Sequence, residues 1–235
     1  EHRERRQRRR QEQALRDAEQ RKDEFLATLS HELRTPLAIL DLHAQNALAA
    51  DNRADREESL HHLRSGVARS TRLVAQLLTL ARLDPEEEPL PEIRHADVRQ
   101  ETQETLAKLL PLATERRQQL HMEVEEQQSW LMEEEPGAIE TLVQNLVGNA
   151  FQHSPPSGAV TVHLSASHHH ITLMVDDQGK GIPPSERSRV VERFQRAGPG
   201  AGAGLGLSIV ERIVKRHGGT LLLEEAPSGG LRVRA

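Results

Sequence analysis

Residues 25–40 read FLATLSHELRTPLAIL, and the spacing of their leucines decides how the first third of the chain is built. Leu26, Leu29, Leu33, Leu37 and Leu40 step by three or four residues, the period of one face of an α-helix. At about 100° per residue, His31 points roughly 160° away from the centre of that stripe. A histidine set inside an apolar pattern, yet on its opposite face, belongs to solvent rather than to a core. Glu32 is its immediate neighbour, and Thr35 follows one turn later at nearly the same angle. Pro36 removes a backbone hydrogen bond and is expected to bend or loosen the helix just past the histidine. Taken by itself, His31 also reads as an ordinary exposed helix histidine, one of 13 in the chain.

Moving outward, a second stripe runs Leu60, Leu63, Val67, Thr71, Val74, Leu78, Ala81 with the same steps, and AADNRADRE (49–57) joins the two. These are two amphipathic helices. Two helices close no core alone, whereas two copies of the pair make a four-helix bundle, so a homodimer is expected. Upstream, EHRERRQRRR holds six arginines in ten residues. It reads as a solvated coiled-coil face, and it also suits a basic stretch just inside a membrane helix. Beginning there and stopping in the strand-like GGLRVRA, the chain reads as a fragment of a longer protein. Downstream, DPEEEPLPE (84–92) stops the second helix with prolines and clustered acids. The expected segments are a coiled-coil helix at 1–22, a dimerising helical unit at 23–84, a linker at 85–95 and a final domain at 96–235.

Past the linker the pattern turns to α/β. A helix is expected over about 97–117, a strand at LHMEVEE (120–126), a helix over 137–152, and strands at AVTVHLSA (159–166) and HITLMVD (170–176) around the turn SHHH. A glycine-rich stretch leads to the helix LGLSIVERIVKRHG, and TLLLEEA with GLRVRA make a closing hairpin. Helices and an antiparallel-leaning sheet in this order give a two-layer α/β sandwich. The fold class is therefore α plus α/β.

Composition narrows the function classes. A net charge of −5 argues against general nucleic-acid binding, and the absence of Tyr with only three Phe offers no stacking platform for single strands. Without cysteine, neither a disulfide nor a thiolate metal site is available. No apolar run nears the ~18 residues of a membrane span, so any membrane attachment lies outside this sequence. His168, His169 and His170 diverge in a turn and lack the spacing of a zinc site.

Three segments of the α/β half suit a nucleotide. In LVQNLVGNAFQHSP, Asn145 and Asn149 are four apart and share a helix face. An amide oxygen is a suitable hard ligand for Mg²⁺ beside charged phosphates, which gives Asn149 the metal and sets Asn145 nearer the phosphates. Such a pair also occurs as plain surface polarity or a cap. In VDDQGKGI, a strand ends at Asp176-Asp177 and turns through Gly179 and Gly181. A carboxylate there can accept the exocyclic amine of adenine, although a DxGxG is as readily a hairpin turn. In GPGAGAGLGLSIV, Gly202, Gly204 and Gly206 precede a helix whose free N–H groups attract phosphate oxygens, with Leu207 opening its apolar face. No GK[ST] is present and no strand precedes the glycines, which excludes the P-loop and the dinucleotide fingerprint. The span 183–203, carrying ERFQR with Arg193 and Arg196, reads as a mobile cover.

The string S-H-E-L-R-T-P-L resembles the phosphoacceptor box of sensor histidine kinases. The series N-x-x-x-N-A, D-x-G-x-G-I, E-R-F and G-x-G-L-G-L resembles the N, G1, F and G2 boxes of their ATPase domain. The resemblance covers about 23–235. It implies His31 as phosphoacceptor, Glu32 as its acid/base partner, and Glu32 with Thr35 as the signature of phosphatase activity toward a response regulator. It further implies a Bergerat-type ATP fold, with Mg²⁺ on Asn149 and adenine on Asp177, and a receiver domain as partner. The chain departs from the pattern at Ala-Phe-Gln-His-Ser (150–154), where His153 takes the usual aromatic's place. Related nucleotide boxes occur in ATP-driven clamp proteins, which have no need of a phosphoacceptor box on a dimerising helix pair.

Overall fold

The two leucine stripes fold as a helical hairpin. A computed structural model describes Arg16, Ala27 and residues 29–82, 93–125, 129–167, 170–192, 195 and 204–235. It divides into two compact units, Glu1–Ala75 and Gln76–Ala235. In the first, helix α1 covers 29–49 and helix α2 starts at Arg53 and runs to Arg82. Asn52 caps α2, its Oδ1 accepting from Asp55 N–H at 2.9 Å. Gly66 of α2 lies so close to α1 that a Cβ there would stand 2.7 Å from Leu40 Cδ2. Further toward the connection, His43 stacks on His62 with ring centroids 5.0 Å apart. Leu40 against Gly66 and His43 against His62 set an antiparallel register.

The second stripe is only partly covered by α1. Gly66 and Leu73 are buried and Leu63 and Ser70 half-buried, whereas Leu60, Val67 and Val74 stay about half exposed. The exposed three are spaced by seven, the repeat of a seam that meets another helix.

In the second unit, β1 (Arg94–Asp97) pairs antiparallel with β3 (Leu131–Glu134) as a small two-stranded sheet. Helix α3 (Val98–Glu115) is capped by Asp97, whose carboxylate accepts from Gln100 N–H at 2.9 Å. The main sheet has the order β2 (Gln119–Val124), β4 (Ala159–Ala166), β5 (Ile171–Asp176), β7 (Leu231–Arg234), β6 (Leu222–Glu225). The β2–β4 pair is parallel and the others are antiparallel. Helices α4 (Ala138–His153) and α5 (Gly206–Arg216) complete the helical layer.

Alternation along the strands builds the core. Val160, Val162, Leu164, Leu173, Val175 and Val233 meet Val143, Leu146, Val147 and Phe151 of α4 and Val210 of α5 in one apolar cluster. This is the expected two-layer sandwich. The opposite sheet face carries His163, Asp176, Arg232 and Arg234, each half-buried or better, and is polar.

Both ends of α4 are tied. At its start, buried Glu134 accepts from Ile139 N–H at 3.1 Å through Oε2, while Arg94 donates to Oε1 at 2.7 and 3.0 Å. At its end, Gln118 Nε2 donates to the carbonyls of Phe151, Ser154 and Pro155, and Arg116 donates to Phe151 O. These bonds satisfy carbonyls that a helix terminus leaves unpaired. They also fix where α4 presents its side chains.

Candidate functional site

His31 is exposed on α1, as its angle to the leucine stripe requires, and Glu32 beside it is half-buried. The helix continues through Pro36 without a break. Thr35 Oγ1 donates to His31 O at 3.4 Å, so the hydroxyl sits over the histidine's own turn. That bond and the missing Pro36 N–H both weaken the backbone ladder directly after His31.

The nucleotide candidates gather around the second half of α4. Asn149 lies against the start of α5: a Cβ on Gly206 would stand 2.9 Å from its Nδ2 and 3.0 Å from its Oδ1. A side chain at position 206 would have to push the Asn149 amide aside. One turn back, Asn145 Nδ2 donates to Thr141 O at 2.8 Å. One turn on, the carbonyl of His153 would be 2.7 Å from a Cβ on Gly179, so the loop after β5 also presses on α4. Ser154 Oγ accepts from Gln178 N–H at 3.2 Å and Gln178 Oε1 accepts from Ala159 N–H at 3.0 Å, lacing that loop in place.

Asp177 is buried in this loop. Its Oδ1 accepts from Gly179 N–H at 2.8 Å and Leu231 N–H at 2.9 Å. Its backbone N–H donates to Leu231 O at 2.9 Å, and its carbonyl accepts from Ser228 Oγ at 3.0 Å. Oδ2 has no hydrogen-bond partner among the described residues. Burial pushes the carboxyl above the ordinary aspartate range, while the Leu231 and Gly179 N–H groups and nearby His153 pull the other way. Gly181, at φ +67°, turns the chain away beside Gly229 and Gly230.

Gly204, at φ +68°, bends the chain into α5, whose N-cap residue, Leu205, makes no side-chain capping bond. Leu207 is half-buried in its first turn. Gly202, Arg193 and Arg196 lie outside the described residues, as do His168 and His169. Where the cover was expected, residues 184–191 form successive turns, and Arg187 donates to Ile182 O at 3.0 Å and to Leu223 O of edge strand β6 at 3.2 Å. That part is fastened to the sheet.

The spacing of residues did not reveal Gly230 and Leu231. A Cβ on Gly230 would run into the backbone oxygen of Asp177 and stand 2.5 Å from its Oδ1. The one available signal was the Gly229-Gly230 pair, which reads simply as a turn.

Residues 21–86 match the His Kinase A (phospho-acceptor) domain, and residues 134–235 match the Histidine kinase-, DNA gyrase B-, and HSP90-like ATPase family. The solved mycobacterial sensor histidine kinase MprB is 32% identical and superposes with a TM-score of 0.53, over 61% of this chain and 95% of that one. The chain belongs to the two-component sensor histidine kinases. Sensor protein QseC of Escherichia coli K12 is 34% identical over 218 residues, 91% of this chain and 47% of QseC. The histidine-protein kinase/phosphatase MprB of Mycolicibacterium smegmatis is 33% identical over 228 residues, 92% of this chain and 45% of that protein. The chain thus spans about half the length of these curated kinases. Full-length ShkA, solved in complex with AMPPNP, is 27% identical with a TM-score of 0.63, covering 90% of this chain and 44% of ShkA. No helix among the described residues is long and apolar enough to cross a membrane.

Proposed function

We propose that this chain is the catalytic core of a sensor kinase that phosphorylates its own His31 with ATP and passes the phosphoryl group to an aspartate of a response regulator's receiver domain. The observation that carries the reading is the division of labour within Asp177. Oδ1 is spent on two backbone N–H groups, which leaves Oδ2 of a buried, oriented carboxylate to accept the exocyclic amine of adenine. Family membership and the AMPPNP complex of ShkA support the same ligand.

The remaining residues follow from chemistry. The Asn149 side-chain oxygen would hold Mg²⁺, a hard ion that favours oxygen ligands and would offset the phosphate charge. Gly204, Gly206 and the first N–H groups of α5 face the phosphate oxygens, Leu207 seats the first turn, and Gly202 of the same glycine-rich sequence is assigned to the phosphates with them. Gly179 and Gly181 allow the backbone to approach the base. Asn145 sits on the phosphate side of Asn149. A ring nitrogen of His31 attacks the γ-phosphorus, the bond to the bridging β–γ oxygen breaks, and ADP departs. Glu32 accepts a hydrogen bond from the other ring N–H, which sets the tautomer and steadies the charge developing on the ring. Exposure of His31 suits both the nucleotide and the receiver domain.

Two copies join through the exposed stripe of the hairpin, and Glu32 with Thr35 supports dephosphorylation of the regulator. The arginine-rich first ten residues suit the cytoplasmic side of a membrane helix in a longer protein. The test is incubation with γ-labelled ATP and mapping of acid-labile phosphate. Label on His31, lost completely in His31→Gln while nucleotide binding persists, is the expected result. Label elsewhere, or loss of nucleotide binding in that variant, would overturn the assignment.

A further inference from the structure

Among the described residues, every hydrogen bond that fixes Asp177 from outside its own loop comes from residues 228–231, at the turn into β7. Those residues are joined to β5 by a short ladder that runs toward the site from Leu173 with Ala235, which exchange backbone bonds at 3.0 and 2.9 Å, through Met174 with Arg234 and Val175 with Val233, to Asp176 with Arg232. The last pair stands directly before the site. A short ladder frays from its ends, and here the fraying end holds the proposed base-recognition carboxylate. Successive strand residues face opposite sides, so Asp176 projects to the polar sheet face while Asp177 enters the site.

On that polar face the terminal pair is reinforced. Arg232 Nε donates to Asp176 Oδ1 at 2.7 Å and Arg232 NH2 donates to Oδ2 at 2.6 Å, a two-pronged pair whose geometry tolerates little rotation. The two side chains are 22% and 12% exposed, which shields the pair from solvent. His163 Nε2 lies 3.2 Å from Asp176 Oδ2, and its Nδ1 lies 3.1 Å from Glu123 Oε2, extending the network across β4 to β2. The Asp176 carboxylate also holds the Arg232 guanidinium above its ordinary value.

We infer that Asp176 and Arg232 are positioning residues for base recognition: from the far face of the sheet, their ion pair locks the β5–β7 end and thereby aims the Asp177 carboxylate. This rests on the reading of Asp177 as the adenine ligand. A carboxylate correctly aimed accepts from the amine of adenine and opposes the carbonyl oxygen that guanine carries at the same position. Loosening the pair therefore lowers base selectivity as well as affinity.

The experiment compares wild type, Arg232→Gln, Arg232→Lys and Asp177→Asn as the full 235-residue chain. It measures amide hydrogen exchange together with calorimetric binding of ADP and GDP. In Arg232→Gln the amides of Leu231 and Asp177 exchange roughly ten-fold faster while those of the β2–β4 ladder keep their protection. ADP binds about ten-fold more weakly, equivalent to about 1.4 kcal/mol, and the preference for ADP over GDP shrinks by a similar factor. Arg232→Lys keeps the charge without the fork, so it moves the same quantities less; it also carries the test should Arg232→Gln fold poorly. A purely structural role would loosen all amides together and leave base preference alone. Unchanged exchange at Leu231 overturns the inference. So does unchanged base preference in Arg232→Gln when Asp177→Asn has lost it. If Asp177→Asn keeps its preference for ADP, the adenine assignment itself has failed, and the positioning role stands or falls on the exchange of Leu231.

Discussion

Asp177 is held at a cost. Burial makes the native chain bind its proton more tightly than an unfolded chain does, against the pull of two backbone N–H groups. A carboxyl raised in this way contributes its full stability below the unfolded value of about 3.9 and loses it as pH rises through the folded value. At neutral pH the ionised group therefore disfavours folding. Asp177→Asn keeps an oxygen for the Gly179 and Leu231 N–H groups but carries no charge. The variant is expected to melt at or above the wild-type temperature at pH 7, with the difference shrinking as pH falls toward the ordinary aspartate range. Nucleotide affinity should drop roughly ten- to hundred-fold, the worth of a hydrogen bond to a charged group. Melting curves at two pH values with one binding titration check both halves, and a lower melting temperature at pH 7 would contradict the account. Gly230 and Leu231 escaped the sequence because their contacts with Asp177 depend on the register of two strands more than fifty residues apart. Spacing along a chain carries no such information.

At the scale of elements, periodicity made the helices and the longer strands legible. β4 lies where AVTVHLSA alternates, and α4 and α5 follow their apolar faces. β1 and β3 were not legible, because RHAD and LMEE show no sustained alternation and exist as strands through pairing with each other. Around His31 the single element α1 carries two proposed activities that substitution separates. Thr35 lies about one turn and 40° from His31, so both face one incoming partner. In the proposed mechanism its hydroxyl orients a water toward the regulator's aspartyl phosphate and has no part in the attack on ATP. Thr35→Ala should keep most autophosphorylation and lose regulator dephosphorylation, whereas Glu32→Ala should be impaired in autophosphorylation. Rates of both half-reactions with purified regulator decide the matter. Equal loss of both in Thr35→Ala would make the residue structural, through its bond to His31 O beside Pro36.

At the scale of the whole molecule, the hairpin leaves apolar surface that a lone copy does not cover. Leu37 and Leu42 of α1 are 57% and 54% exposed, and Leu60, Val67 and Val74 of α2 are 51%, 46% and 44% exposed. The α2 residues recur at seven, so their side chains line one seam along the helix. A second copy related by a two-fold axis presents the same seam, and each substitution then counts twice. Covering the exposed half of an apolar side chain of this size is worth about 0.8–1.5 kcal/mol. Val67→Glu removes two such contributions per dimer and sets two carboxylates in the seam. The dimer dissociation constant should rise at least about ten-fold. The nucleotide unit has its own core and its own tied helix α4, so ADP affinity should not change. Analytical ultracentrifugation over a concentration series with a parallel ADP titration tests both statements. A dimer of unchanged strength would mean that this seam is not the interface. Weakened ADP binding in the monomeric variant would mean that the nucleotide site draws on the partner chain.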